Sequence, residues 1–219
     1  MDASASPRLT RAERVRTLHG IYAIVNEGPD AVSLVQACVE AGVRVVQYRA
    51  KRAIVPDHLH RIRALTHDAR VLLIMNDDWR AAQAYACDGV HLGPDDAGFT
   101  HVRSVREAMG DRLIGLSCGT VDEVRRANAS DVDYVGVGSV YTTHSKDDAG
   151  LPIGIDGLRR VAAATSLPVA AIGGITIART AEVARIGVAM AAVISAIAQA
   201  NDPRAAAVAL VRAWEQAAP

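Results

Sequence analysis

The segment from Tyr134 to Gly150 carries side chains suited to chemistry and reads Tyr-Val-Gly-Val-Gly-Ser-Val-Tyr-Thr-Thr-His-Ser-Lys-Asp-Asp-Ala-Gly. Its first half is a short apolar run with two glycines, which is typical of a buried strand that another group approaches closely. Thr143, Ser145 and Lys146 then offer two hydroxyls and a mobile cation, a set that can bind the oxygens of a phosphate or pyrophosphate. An ordinary surface loop explains this segment equally well when it is taken alone.

Three polar side chains alternate along the segment Gln47-Tyr48-Arg49-Ala50-Lys51. In an extended strand, Gln47, Arg49 and Lys51 lie on one face and Tyr48 lies on the other. An amide, a guanidinium and an ammonium in line predict an anion site. The structural alternative is that they pair with acids of neighbouring loops, because charges near a core must be compensated.

Two pairs of acids, Asp77-Asp78 and Asp95-Asp96, each follow a short apolar run. Carboxylates at the ends of neighbouring strands are the oxygen ligands that Mg²⁺ favours when it also bridges a substrate phosphate. Helix capping by Asp77 or Asp78 is the alternative for the first pair. His91 is interpreted as a core histidine rather than a metal ligand, because no second histidine stands at ligand spacing.

Small and hydroxylated residues follow three further apolar runs. Ser117 can point its hydroxyl toward the polar side chains at the ends of the other predicted strands. Thr120 is interpreted as the cap of the next helix. Gly173 and Gly174 bare their backbone N–H groups, and Ser195 follows the last apolar run, a pattern typical of the phosphate site of barrel enzymes. Glycines that merely turn the chain are the alternative.

Eight short apolar runs alternate with helix-patterned segments from Gly20 onward. A repeated strand and helix predicts right-handed βαβ units and a parallel sheet. Eight such units in 219 residues predict a closed α/β (β/α)8 TIM barrel, with functional side chains at the carboxyl ends of the strands. No six-residue glycine fingerprint follows the first run, so a dinucleotide-binding fold is the weaker option. The predicted strands are Ile21–Val25, Val43–Arg49, Leu72–Asn76, Gly89–Leu92, Leu113–Ser117, Tyr134–Gly138, Val169–Ile172 and Met190–Ile194; the predicted helices are Asp30–Ala41, Asp57–Ala69, Asp78–Ala86, Val102–Met109, Val121–Asn128, Asp156–Ala164, Thr176–Ile186 and Pro203–Gln216.

The amino-acid composition limits the binding partners and the cellular compartment that we expect. The 24 basic residues balance 24 acidic ones, so charge gives no reason to expect nucleic acid or an anionic membrane as a partner. Cys38, Cys87 and Cys118 lack paired metal spacing and suit reduced thiols of a cytoplasmic protein. No apolar stretch approaches the roughly 20 residues that span a bilayer. We therefore expect small-molecule substrates, and a homo-oligomer is compatible with the sequence.

The first 19 residues lack the hydrophobic core of a signal peptide. We interpret residues 1–19 as a tail that is either disordered or a short leading helix, and residues 20–219 as one barrel domain.

These motifs together resemble the thiamine phosphate synthase family, whose members join the pyrimidine and thiazole halves of vitamin B1. The resemblance extends from Ile21 to about Trp214 and is specific because the motifs keep their order and their places at strand ends. It rests on Gln-x-Arg-x-Lys at Gln47–Lys51, Asn76-Asp77, Gly-Val-His-Leu-Gly-x-x-Asp ending at Asp96, Tyr-Val-Gly-Val-Gly ahead of Thr143-x-Ser145-Lys146, Ile-Gly-Gly-Ile around Gly174, and Ile194-Ser195.

The resemblance implies a Mg²⁺-dependent transferase that condenses a hydroxymethylpyrimidine diphosphate with a thiazole phosphate through a pyrimidine methylene cation. It implies that Asp77 and Asp96 bind Mg²⁺, and that Ser117 contacts the pyrimidine. The implied diphosphate ligands are Gln47, Arg49, Lys51, Asn76 and Lys146, of which Arg49, Lys51 and Lys146 are catalytic; the implied ligands of the thiazole phosphate are Thr143, Ser145, Gly174, Ile194 and Ser195.

Some positions depart from the family pattern. Tyr48 and Ala50 replace a more usual Leu and Glu, and Cys118-Gly119 replaces a pair such as Thr-His. Two other functions stay open: a thiazole tautomerase, which needs no metal diphosphate site, and a non-catalytic regulatory relative that binds a thiamine precursor or product.

Overall fold

Eight parallel strands close into a barrel in a computed structural model that describes residues 9–94, 98–143 and 151–219. The strands pair in sequence order, and the last one pairs with the first, so the ladder has no edge. The (β/α)8 prediction is confirmed. The strands are β1 (Gly20–Asn26), β2 (Val45–Arg49), β3 (Leu72–Asn76), β4 (Gly89–Leu92), β5 (Leu113–Cys118), β6 (Tyr134–Val137), β7 (Val169–Ile172) and β8 (Met190–Val193).

A layer of helices surrounds the barrel and follows the predicted alternation closely. The second strand starts two residues later than predicted because the Val43 N–H still donates to the Cys38 carbonyl in the turn that ends the preceding helix. The helices are α1 (Arg11–Thr17), α2 (Ala31–Glu40), α3 (Pro56–Asp68), α4 (Trp79–Ala84), α5 (Val102–Met109), α6 (Val121–Asn128), α7 (Gly154–Ala162), α8 (Ile177–Ala184), α9 (Ser195–Ala198) and α10 (Pro203–Glu215), with a 3-10 turn at Phe99–His101.

Both faces of the strands are buried, which explains why they read as continuous apolar runs in the sequence. Alternate residues divide between two clusters. One cluster fills the barrel interior and includes Tyr22, Val45, Ile74 and Tyr134. The other lies between the strands and the helices and includes Tyr48. The predicted alternation of β2 is thus confirmed, since Tyr48 faces outward and Gln47 is buried on the inner face.

The cysteines are free and buried in the outer cluster. Desolvation raises the pKa of the Cys38, Cys87 and Cys118 thiols to about 12. Thiols that stay protonated near neutral pH are poor nucleophiles, so these residues act as small core side chains. No helix in the described ranges has both the length and the apolarity required to cross a bilayer.

The leading segment contains a short helix, α1, whose first turn is closed by a capping box between Thr10 and Glu13. Two arginines of this helix reach acids that precede strands at the amino end of the barrel. The Arg11 Nε lies 2.5 Å from Asp133, and the Arg14 Nε lies 3.4 Å from Asp88. The helix therefore covers the barrel end opposite to the carboxyl ends of the strands.

Asp133 is the centre of this amino-end cluster. The residue is 4% exposed, and its carboxylate accepts from the Ile114 N–H at 2.7 Å and from Arg106 at 2.5 Å, besides Arg11. A buried carboxylate keeps its charge only when donors surround it in this way.

We expect Arg106→Ala to lower the free energy of unfolding by about 3 kcal/mol, because Asp133 would stay buried with fewer donors. The matched control is Arg103→Ala, since Arg103 and Glu107 form an ion pair whose side chains are 95% and 74% exposed. Such pairs contribute at most about 1 kcal/mol. Urea unfolding measures both values, and equal losses in the two variants would contradict the role of the cluster.

Candidate active site

The predicted site residues that the structure describes lie at one rim of the barrel, at or just after the carboxyl ends of the strands. This placement follows from the parallel closed sheet, in which every strand ends on the same side. Asp96, Ser145 and Lys146 lie outside the described residues, so their assignment stays a prediction. The described members are Gln47 and Arg49 in β2, Lys51 after it, Asn76 in β3, Asp77 after it, Ser117 in β5, Thr143 after β6, Gly174 after β7, and Ile194 and Ser195 after β8.

Gln47, Arg49 and Lys51, together called the basic wall, lie along β2 and just after it. Arg49 and Lys51 reach the rim, whereas Gln47 is buried beneath it. The Arg49 Nη1 donates to the Asn26 side chain at 3.3 Å, while its buried Nε has no hydrogen-bond partner. Within the described ranges, no acidic side chain forms an ion pair with Arg49 or Lys51. The described residues therefore do not support the alternative in which neighbouring acids compensate the charges of the basic wall.

The acids after β3 have separate positions. The Asp78 carboxylate caps α4 by accepting from the Ala81 N–H at 2.9 Å, so the capping alternative applies to Asp78. Asp77 is exposed and adopts a left-handed backbone with φ of 66°. Aspartate tolerates this conformation better than most residues, at a cost of about 1–2 kcal/mol, and such strain is typical of functional positions.

A chain of hydrogen bonds crosses the barrel interior beneath the rim; we call it the polar chain and define it as Gln47, Tyr22, Tyr134, His91 and Ser117. The Gln47 Nε2 donates to the Tyr22 hydroxyl at 2.7 Å, and the two tyrosine hydroxyls lie 3.0 Å apart. His91 links Tyr134 to Ser117: its Nδ1 lies 3.1 Å from the Tyr134 hydroxyl and its Nε2 lies 3.1 Å from the Ser117 Oγ. The interpretation of His91 as a satisfied core histidine is confirmed.

The two tyrosines of the polar chain were missed by reasoning from the sequence. Each lies fully buried in the barrel interior, and this desolvation raises the pKa of both hydroxyls. Their positions within the apolar runs of β1 and β6 were a signal that could have revealed them, because a buried tyrosine hydroxyl needs a partner. Tyr22 and Tyr134 thus remain protonated and can each donate one hydrogen bond.

A cavity of about 550 Å³ opens at the rim along β5 to β8. This volume is within the range of ligand sites for small molecules. Its lining extends along α6 to Glu123 and Arg126, which the sequence did not single out. The predicted residues that line it are Ser117, Thr143, Gly174, Ile194 and Ser195.

The glycine pair after β7 lets the segment after β6 pass directly over it. Both glycines have a positive φ, and a Cβ added to Gly173 would lie 2.2 Å from the Ser139 Oγ. A Cβ on Gly174 would lie 2.5 Å from the Thr142 carbonyl oxygen. The glycine turn after β7 thus leaves room for the segment after β6. This contact brings Thr143 to the cavity beside Gly174.

The segment that follows β2 and carries Lys51 is held by Glu27. The Tyr48 hydroxyl donates to the Glu27 carboxylate and accepts from the Val55 N–H at 3.4 Å. The His58 Nδ1 lies 2.7 Å from the other carboxylate oxygen of Glu27. Both ends of the segment are therefore tied to a single carboxylate at the end of β1.

Comparisons with known proteins show which family the chain belongs to. A family model described as thiamine monophosphate synthase matches residues 21–197. A thiamine-phosphate synthase of Archaeoglobus fulgidus is 42% identical over 181 residues, which cover 81% of this chain and 84% of that protein. The thiamine biosynthesis bifunctional protein ThiM/ThiE of Symbiobacterium thermophilum is 42% identical over 195 residues, which cover 87% of this chain and 40% of that longer protein.

A solved structure gives the same result. The thiamine phosphate pyrophosphorylase from Pyrococcus furiosus is 32% identical and superposes with a TM-score of 0.84, covering 93% of this chain and 98% of that one. The family match spans more than half of the sequence. The chain therefore belongs to the thiamine monophosphate synthase family, a family of transferases in thiamine biosynthesis.

Proposed function

We propose that the chain condenses 4-amino-2-methyl-5-hydroxymethylpyrimidine diphosphate with 4-methyl-5-(2-phosphoethyl)thiazole and releases thiamine phosphate and pyrophosphate. The observation that carries this proposal is the buried Nε of Arg49, which lacks a partner in the described part of the chain. Leaving such a donor unpaired costs about 1–3 kcal/mol. A substrate diphosphate would supply the missing acceptor at the moment of binding.

The basic wall suits the departure of pyrophosphate. In the proposed reaction, the bond between the pyrimidine methylene carbon and the diphosphate oxygen breaks, and its electron pair stays on the leaving oxygen. Arg49 and Lys51 would stabilise the negative charge that grows there, since preorganised donors are most effective where charge develops. The amino group of the pyrimidine ring would donate electron density to the methylene cation.

The cavity suits the second substrate. The thiazole nitrogen already carries a lone pair, so its attack on the methylene carbon needs no general base. The hydroxyl of Thr143 and the backbone near Gly174 and Ser195 would hold the phosphate of this substrate. Holding both rings in one enclosed mouth supplies proximity and excludes water, which would otherwise capture the cation.

A Mg²⁺ ion fits the chemistry of the rim at β3. Asp77 offers a carboxylate on a left-handed backbone at the end of β3, and Asp78 acts as the helix cap. Asp96, the second proposed ligand, lies outside the described residues. When bound, Mg²⁺ would neutralise charge on the pyrophosphate, and the role of Asp77 would be to hold it.

Two other functions are separated from this one by a coupled pyrophosphate assay with both substrates. A thiazole tautomerase would isomerise the thiazole phosphate in EDTA without the pyrimidine substrate. A regulatory relative would bind a ligand and release no pyrophosphate. The lack of an ion pair to Arg49 and Lys51 among the described residues favours the synthase, because neither alternative needs a diphosphate subsite.

We expect Asp77→Asn to lower the rate of pyrophosphate release by about 100-fold or more, because a charged ligand is lost where charge develops. Asparagine tolerates the left-handed backbone as well as aspartate does, so the fold should persist. Asp78→Asn is the matched control, since asparagine is an equally good cap. The assay is a titration with Mg²⁺ at saturating substrates, and equal rates in the two variants would refute the metal role of Asp77.

We expect Arg49→Met to raise the free energy of unfolding by about 1 kcal/mol, because a buried unpaired donor is removed while the volume is kept. The same change should lower kcat/KM for the pyrimidine diphosphate by about 100-fold. The control Arg52→Met changes an exposed neighbour of the wall and should alter neither quantity. Loss of both stability and activity in Arg49→Met would assign this residue to folding instead.

Tyr48→Phe tests the Glu27 contact that holds the segment with Lys51. The ring keeps its packing, but the hydroxyl that joins Glu27 to Val55 is lost, so KM for the pyrimidine diphosphate should rise about 5- to 10-fold, as for one hydrogen bond. KM for the thiazole phosphate should not change. Glu27→Gln should act in the same direction, and an unchanged KM in both variants would contradict this positioning role.

A further inference from the structure

Two glycines provide the space that the polar chain occupies in the barrel interior. A Cβ added to Gly115 would lie 2.2 Å from the Tyr134 ring and 2.6 Å from the His91 Nδ1. One added to Gly136 would lie 3.0 Å from the His91 Cε1. Two glycines on neighbouring strands thus leave the room that the tyrosine and the imidazole need to meet.

Counting protons along the polar chain gives it a direction. The Gln47 Nε2 donates to Tyr22, which in turn has one proton to donate to Tyr134. Tyr134 then has its own proton left for the Nδ1 of His91, which lies 3.1 Å away. Because burial raises the pKa of both phenols, neither tyrosine loses its proton near neutral pH.

The direction decides the tautomer of the imidazole. A ring nitrogen that accepts a hydrogen bond carries no proton, so in an imidazole with a single proton that proton lies on the other nitrogen. The Nε2–H group then donates to the Ser117 Oγ, 3.1 Å away. Since Ser117 lines the cavity, its own hydroxyl proton is left to point into the mouth.

We propose that the polar chain holds His91 as the Nε2–H tautomer and thereby makes Ser117 a hydrogen-bond donor to a ring nitrogen of the pyrimidine substrate. The inference rests on the proposed function for the identity of the substrate. Ser117 would touch the ligand, whereas His91, Tyr134 and Tyr22 are positioning residues that act through it. The far end of the chain is Gln47 in the basic wall, so one set of bonds orients polar groups on two sides of the mouth.

The tautomer is measured directly by nitrogen-15 NMR of the imidazole rings in the whole protein. The sequence contains seven histidines, and the His91→Gln variant assigns the signal of His91 by its loss. We expect a protonated Nε2 and an unprotonated Nδ1 near neutral pH. A protonated Nδ1, alone or together with Nε2, would overturn the proposal.

Kinetics of Tyr134→Phe test the consequence at Ser117. Without the phenol, the Nδ1–H tautomer becomes accessible, and Ser117 can turn its proton toward His91. We expect kcat/KM for the pyrimidine diphosphate to fall about tenfold, as for one hydrogen bond, while KM for the thiazole phosphate stays unchanged and the Nδ1–H signal appears. Equal losses for both substrates, or an unchanged tautomer, would contradict the proposal.

Two controls separate this role from a structural one. Tyr85→Phe removes a hydroxyl at the end of α4, outside the polar chain, and should leave both substrates unaffected. Tyr22→Phe should have a smaller effect than Tyr134→Phe, because Tyr134 can still donate to His91; the reverse order would count against the direction. If the unmodified protein releases no pyrophosphate, the proposed function fails while the NMR result still decides the tautomer.

Discussion

Burial of both faces of every strand is the constraint on which the rest of this structure depends. A closed parallel barrel has no solvated face, so each inward side chain must be apolar or hydrogen-bonded within the interior. Toward the amino ends of the strands this requirement is met by residues such as Val45, Leu72 and Leu113. Where polar side chains face the interior, it is met by the polar chain, in which each buried polar group serves as a partner for the next.

The two ends of the barrel differ in how their buried charged groups are paired. At the amino end, the Asp133 carboxylate is surrounded by arginines and a backbone donor, so its burial is compensated within the fold. At the carboxyl end, the buried Nε of Arg49 has no such partner among the described residues. A buried N–H donor without an acceptor costs about 1–3 kcal/mol. In the proposed function a substrate diphosphate supplies the acceptor, so pairing within the described residues distinguishes the amino end from the proposed binding end.

The sequence predicted the architecture because each strand, and each of the eight helices that alternate with the strands, has its own local signal; the four-residue α9 was not predicted. Period and length identified eight strands within about two residues of their bounds, and Thr120 capped α6 as its capping box with Glu123 indicates. The polar chain could not be predicted in this way, since it depends on the register of strands distant in sequence. Tyr22 and Tyr134 looked like ordinary apolar positions until the closed sheet placed their hydroxyls 3.0 Å apart. Likewise, spacing alone could not decide that Asp78 caps α4 and Asp77 does not.

Four glycines determine how closely the parts of the site approach one another. Gly173 and Gly174 permit the segment after β6 to lie on the end of β7, where the Tyr141 N–H donates to the Gly173 carbonyl at 3.0 Å. Gly115 and Gly136 permit the contact between Tyr134 and His91 in the barrel interior. Removing a Cβ at four points thus lets two backbone segments and two rings approach at distances that other residues forbid. The site owes its shape to these absent side chains as much as to the polar groups that line it, because a single methyl at any of them would displace a group that faces the cavity or supports one that does.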